Sequence, residues 1–421
     1  MDPAYDPCRP EWRDDPYPHY RTLRDTAPVH WAPTTRAFCV SRYDDVMFVL
    51  RSPELFSSRA MFTFLMNQGQ EGRPPLTWPM LRFLVRFVWR TRLNPLEFTT
   101  ARNLIAEDGE RHASLRNIVN RGFTPRRIAA WEARARELVD EAIAKLRSGA
   151  PFDLVEDLAI PLPVSIIAEM LGVEAARRSD FKRWSDTIIH MATGPGRDGD
   201  RFARPIVDTL IELLSYLRGV AEERKRRPAD DLVSAIVAEQ EGETALSTRE
   251  VIQFVMLLLV AGNETTTNLI GNGVTALLDH PDELARVAAD PALVPAAIEE
   301  TLRYDPPIQM LFRNATQDVD LGGVRIPKGA YVVPLLGSAN RDERRFADPD
   351  RFDVGRETPG HVGFGFGKHF CLGASLARLE ARVALEALVP ELVRLERRGP
   401  REHVDSFLVR GPRRLELRRA A

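Results

Sequence analysis

The chain has 421 residues, 44% of them hydrophobic and 28% charged, an ordinary globular composition with ample apolar material for a large core. Its formal net charge of −2 argues against a protein built to grip nucleic-acid phosphates. The three cysteines, Cys8, Cys39 and Cys371, are too few for a disulfide framework, and their odd number fits a reducing compartment.

The N-terminal stretch MDPAYDPCRPEWRDD is polar and proline-rich, without the basic start and apolar run of a signal peptide. The most apolar stretch, Phe254 to Gly262, falls well short of the ~20 residues that cross a bilayer. The expectation is a cytoplasmic protein. Residues 28–60 form a β-rich part, with short strands followed by a helix starting at Tyr43. A long segment then separates Phe56 from His112. In it Arg82, Arg86 and Arg90 recur every four residues among Leu81, Phe83, Leu84, Phe87 and Val88. This reads as a short basic amphipathic helix. One expectation is a lid with solvated arginines; the other is contact of 79–92 with a membrane surface or an acidic apolar substrate.

From Thr124 to about Arg227 the apolar spacing is helical. Ser247 and Glu250 have capping-box spacing, so a helix is expected from there to Asp279. Its first half is apolar nearly all round, the pattern of a buried central helix. GGVRIPKGAYVVPLL reads as strands and turns, and a last long helix is expected to open at Cys371. With no recurring strand–helix alternation, the fold class is mainly α with small β-sheets, in a single domain over residues 1–421.

Cys371 follows three alternating glycines, Gly363, Gly365 and Gly367, which permit positive φ and close approach to something bulky. It precedes a helix, whose N-terminal dipole favours a thiolate. Phe364-Gly365-Phe366-Gly367-Lys368-His369-Phe370-Cys371-Leu372-Gly373 resembles the haem-thiolate loop of cytochromes P450. Further motifs of that family stand in the expected order. Glu300 and Arg303 resemble its buried Glu-x-x-Arg ion pair, with Asn340 and Arg351 of the following meander as expected partners. Ala261-Gly262-Asn263-Glu264-Thr265-Thr266 resembles its oxygen-activation signature on the central helix, with Glu264 and Thr265 as the catalytic acid–hydroxyl pair.

The resemblance implies a cytochrome P450 fold, with haem b between the long central helix and the cysteine-bearing loop. It implies Cys371 as the iron ligand; Phe364, Gly365, Gly373 and Ala261 against the haem; and His112, Arg116, Arg313 and His369 on its propionates. Leu258, Ala261, Ile308, Met310, Leu311, Phe407 and Leu408 would line an apolar substrate pocket, roofed in part by Trp184 to Met191. The implied activity is a monooxygenase that puts one atom of O2 into a fatty acid, terpenoid or steroid-like molecule, or into a natural-product scaffold. Nothing after Cys371 resembles a flavin or iron–sulfur domain, so electrons are expected from a separate ferredoxin and its NAD(P)H-dependent ferredoxin reductase. Docking is expected near Lys368, Arg121, Arg126 and Arg127. The rival readings are a non-catalytic haem-thiolate sensor or electron carrier, and a peroxide-driven enzyme. The presence of Glu264 and Thr265 disfavours both.

Overall fold

The computed structural model describes residues 5–59, 61, 64, 78–91, 104–177, 179–181, 183–184, 187, 204–229, 231–238, 246–358 and 360–420. Most of the segment 60–105, and most of 184–191, therefore lie outside the described residues. The described helices and strands run α1 (Tyr17–Thr26), β1 (Val29–Ala32), β2 (Ala37–Val40), α2 (Tyr43–Arg51), β3 (Phe56–Ser57), α3 (Trp78–Thr91), α4 (Gly109–Asn120), α5 (Pro125–Ala130), α6 (Glu132–Arg147), β4 (Phe152–Asp153), α7 (Pro161–Met170), α8 (Arg204–Arg226) and α9 (Leu232–Ala238). Then come α10 (Thr248–Asp279), α11 (Pro281–Ala289), α12 (Val294–Tyr304), β5 (Arg313–Ala315), β6 (Val319–Leu321), β7 (Val324–Ile326), β8 (Tyr331–Pro334), α13 (Leu336–Ala339), α14 (Ala374–Leu392), β9 (Leu395–His403) and β10 (Pro412–Arg419). The chain divides into two compact units: Met1–Gly69, Pro125–Pro163 and Glu264–Ala421 in the first, Gln70–Thr124 and Val164–Asn263 in the second.

The described sheets belong to the first unit. The largest has the order β1-β2-β8-β5-β3. Its β2–β8 pair is parallel and the others antiparallel. Val40, Val46, Val49, Leu50, Phe56 and Val332 pack α2 against this sheet in a shared apolar cluster. A second sheet joins β4, β10 and β9, and β6–β7 is a hairpin. α14 is buried on most of its circumference and packs against α5, α6, α11 and α12. α6 turns Ala135, Val139, Ala142, Ile143 and Leu146 inward, the three-and-four spacing that an apolar helix stripe requires.

The expected capping box at the start of α10 is formed. The Ser247 backbone N–H donates to Glu250 Oε2 at 2.9 Å, and the Glu250 N–H donates to Ser247 Oγ at 3.3 Å. The helix then continues for 32 residues. In the first unit its second half is anchored by Thr267 Oγ1, which donates to the Ala159 carbonyl at 2.8 Å, and by Asn272, whose amide donates to the carbonyls of Asp305 and Arg410. One boundary differs from expectation: the last helix starts at Ala374, capped by Gly373, not at Cys371. The Cys371 N–H donates to the Phe364 carbonyl at 2.9 Å, so the cysteine sits on a rung across its own loop, before the helix begins.

Candidate active site

The site grows from a buried ion pair. On α12, Arg303 Nε and Nη2 donate to the two Glu300 oxygens at 2.7 Å each, and both side chains are fully buried. The remaining guanidinium N–H groups donate to the carbonyls of Asn340 at 3.1 Å, Pro349 at 2.8 Å and Arg351 at 3.0 Å. Every donor of the fork is used, which is what a buried charge needs to offset its desolvation. Glu300 also accepts from the Asp353 N–H and from Arg356 Nε. Sequence reasoning placed Arg351 in this network. Its carbonyl is there, but its side chain is largely exposed and lies toward Glu283; the meander guanidinium that reaches Glu300 is that of Arg356. Nothing in the sequence distinguishes these two arginines, five residues apart in one irregular segment.

Asn340 carries the network to the cysteine loop. Its amide donates to the Leu302 carbonyl at 3.0 Å and its oxygen accepts from the Val362 N–H at 2.7 Å. The next residue, Gly363, lies so close to α12 that an added Cβ would stand 2.6 Å from the Leu302 carbonyl oxygen. Gly365 takes φ +69°, where a side chain is strained, and the loop returns through the Phe364–Cys371 rung. A second brace was not foreseen. Glu299 accepts a two-pronged pair from Arg378 at 2.6 and 2.9 Å and lies 2.9 Å from His361 Nε2. The Gly363 N–H donates to His361 Nδ1 at 3.2 Å, and the Arg378 guanidinium sits 4.6 Å over the Phe364 ring. Burial opposes the charge on Glu299, but the hydrogen bonds from Arg378 and His361 and the positive charge of Arg378 outweigh it and hold its pKa at about 2.

The three cysteines divide by environment. Cys39 is buried and its pKa pushed well up by desolvation; Cys8 is pushed up to about 12 by the same cause; Cys371 alone is exposed. Around its loop, Leu311 lies 3.8 Å from where a Gly365 Cβ would stand. The Gln309 N–H donates to the Leu408 carbonyl at 3.1 Å, and Ile308 bridges to Val409. Residues 307–309 therefore run beside 408–410, whereas Met310 bridges to Leu335 and the Leu311 N–H donates to the Pro334 carbonyl. Leu311 approaches the cysteine loop, Ile308 and Leu311 pack on the apolar cluster of the large sheet, and Met310 and Phe407 line a small cavity with Tyr5, Trp12 and Tyr20. The Arg313 side chain is buried, and Nη1 donates to the Phe312 carbonyl. His369 Nε2 lies 3.2 Å from Ser58 Oγ. Glu264 and Thr265 are half-buried on α10, and Asn268 donates to the Glu264 carbonyl at 2.7 Å.

The other expected site residues belong to the second unit. His112, buried, and Arg116, half-buried, lie one turn apart on α4; Leu258 is buried on α10 and Ala261 is exposed there. Trp184 is buried, while the rest of its segment to Met191 lies largely outside the described residues.

An exposed thiol, on a loop that glycine geometry and two charge networks hold in one shape, matches the donor expected of a haem-thiolate protein. The family model for cytochrome P450 matches residues 86–393.

The chain belongs to the cytochrome P450 family.

Cyclomarin C epoxidase CymV of Salinispora arenicola is 37% identical over 398 residues, covering 94% of each chain. Among solved structures, cytochrome P450 CYP109Q5 from Chondromyces apiculatus superposes with a TM-score of 0.83 at 39% identity, covering 100% of this chain and 99% of that one. CYP109E1 from Bacillus megaterium, solved with testosterone, gives a TM-score of 0.81 at 33% identity, covering 98% and 100%. This P450 is accordingly a monooxygenase with a haem cofactor, redox partner proteins and O2 as co-substrate. Among the described residues no helix is long and apolar enough to cross a membrane.

Proposed function

We propose that this P450 holds haem b through Cys371 and oxidises an apolar small molecule of steroid, terpenoid or fatty-acid type in the cytoplasm, with electrons from a separate ferredoxin and its NAD(P)H-dependent reductase. The observation that carries the reading is the exposed Cys371 on its braced glycine loop, with Leu311 close to Gly365. Ile308, Met310, Leu311, Phe407 and Leu408 would supply apolar side chains to the substrate pocket. When bound, the haem supplies reductive activation of dioxygen, one atom entering the substrate and the other leaving as water.

The chain's own groups prepare that chemistry. The Cys371 sulfur would hold the iron as a thiolate. The strap of Phe364, Gly365 and the Phe364–Cys371 rung fixes its position. Arg313 and His369 offer cationic or N–H donors for propionates. Glu264 and Thr265 hold and move the protons that dioxygen reduction consumes. Around the loop, Lys368, Phe366 and Phe370 are exposed, Arg51 stacks 4.8 Å over Phe366, and Arg126 and Arg127 are exposed on α5. Cations and aromatic rings together suit an acidic electron donor. The Arg121 side chain lies outside the described residues.

The likeness to CymV, a cyclomarin C epoxidase, favours a second reading, a larger natural-product scaffold as substrate. A panel of steroids, terpenoids, fatty acids and macrocycles, added to the haem-loaded enzyme, separates the two by which members drive the haem from low to high spin. Turnover under isotopically labelled dioxygen then tests the reaction. One labelled atom per product is expected. Thr265→Ala should keep consuming electrons while product per electron falls by about tenfold. Unchanged coupling would sink the proton-handling role, and unlabelled product would sink oxygen insertion.

A further inference from the structure

Helix α3, in the second unit, turns the wrong kind of surface outward for a helix meant only to face water. Trp78, Val85 and Trp89 are 70%, 67% and 77% exposed, and Leu81 and Val88 are exposed as well, whereas Phe87 is 2% exposed. At 100° per residue, the five exposed apolar side chains fall within about 100° of the circumference, and Phe87 faces the opposite way. Arg82, Arg86 and Arg90 occupy the adjoining sector, and the helix carries no carboxylate. Arg86 pairs with Asp208 on α8 at 2.7 Å, which ties the helix to its unit with the apolar stripe outward. Tryptophans stand near both ends of the 14-residue helix.

We infer that α3 docks the enzyme on an anionic membrane surface. The stripe would enter the boundary between headgroups and acyl chains. Tryptophan, part apolar and part N–H donor, is suited to that depth. The arginines alongside would meet lipid phosphates, which they bind in two-pronged geometry. The chain's net charge is −2, so attraction to anionic lipid has to come from a local cluster such as this one. The helix lies along the surface and does not span it. An apolar substrate dissolved in the same membrane would then be met at high local concentration. The docking itself is independent of the oxidation chemistry.

The test is co-sedimentation of the haem-loaded enzyme with vesicles of phosphatidylcholine, with and without about a third phosphatidylglycerol, at low and high salt. Binding to the anionic vesicles, weakened by salt, is expected. Trp78→Ser/Trp89→Ser should lower the partition by about tenfold, and Arg82→Glu/Arg90→Glu should abolish the preference for anionic vesicles. Both variants change exposed residues, and an unchanged haem spectrum would show that they fold. No binding to anionic vesicles would overturn the inference, as would variants that bind like the wild type. So would a dimer that Trp78→Ser/Trp89→Ser dissociates in the absence of vesicle binding, because the stripe would then be covered by a second copy.

Discussion

Glu380 is the residue that sequence reasoning could least have singled out. It falls in LARLE, where a glutamate reads as a helix former, yet it is buried on α14 and forms a hydrogen bond with Thr266 of α10. Desolvation raises its pKa to about 8, with the Thr266 hydrogen bond pulling the other way. The folded chain thus holds this proton more tightly than the unfolded chain, whose glutamate titrates near 4.5. The stabilising contribution is complete below the unfolded value and is lost as pH rises through about 8. Glu380→Gln, neutral at every pH, should flatten this dependence and be more stable than wild type by roughly 2–5 kcal/mol at about pH 9. Denaturant melts at about pH 5 and about pH 9 measure it. An equally steep pH dependence in the variant would show that other groups set the slope. Glu299 works in the opposite sense. Held at about 2, it stabilises the fold above its unfolded value, and that share is lost as pH falls toward 2.

Among elements, α12 and the loop it braces decide whether a thiol can be presented at all. Glu300 and Arg303 are both fully buried, so removing either partner strands a charge in the interior. Glu300→Gln should cost about 3–5 kcal/mol. Arg356→Ala removes the 3.3 Å contact to Glu300 and the hydrogen bonds to the carbonyls of Ala347, Asp348 and Arg351, but it leaves Glu300 paired with Arg303 and should cost less. Denaturation midpoints, together with the haem retained through gel filtration, would rank them. Equal losses for the two variants would contradict the hierarchy. The pair itself was legible, because an acid and an arginine three apart share a helix face. Asn340 and Arg351 were expected in the network from the family resemblance, but their acting through backbone carbonyls, and the part played by the Pro349 carbonyl and by Arg356, were not legible, since carbonyls up to 48 positions away carry no side-chain signature. The same holds for Glu299, whose partners His361 and Arg378 are 62 and 79 positions distant. The α10 capping box was legible because it is wholly local. The start of α14 was misplaced by three residues because the sequence does not show that the Cys371 N–H is engaged across the loop.

For the molecule as a whole, the order of motifs from the central helix through the ion pair to the cysteine loop carried both the fold class and the family. The sheet order β1-β2-β8-β5-β3 was beyond reach, because β2 pairs in parallel with a strand almost 300 residues away. Electron supply is also a property of the whole surface. Reversing Lys368, Arg126 and Arg127 to glutamate should slow reduction by an acidic ferredoxin by roughly tenfold at low salt and remove most of its salt dependence. Stopped-flow reduction rates at several ionic strengths test this, and unchanged rates would move the docking face elsewhere. The central claim is that Cys371 ligates haem iron. Its most direct test is the visible spectrum of the purified, haem-loaded protein, reduced and under carbon monoxide, for wild type and Cys371→Ser. The account predicts the strongly red-shifted Soret band of a thiolate-ligated haem in wild type and its absence in the variant. An ordinary carbon-monoxide haem spectrum in wild type, or a red-shifted band that survives Cys371→Ser, would contradict it.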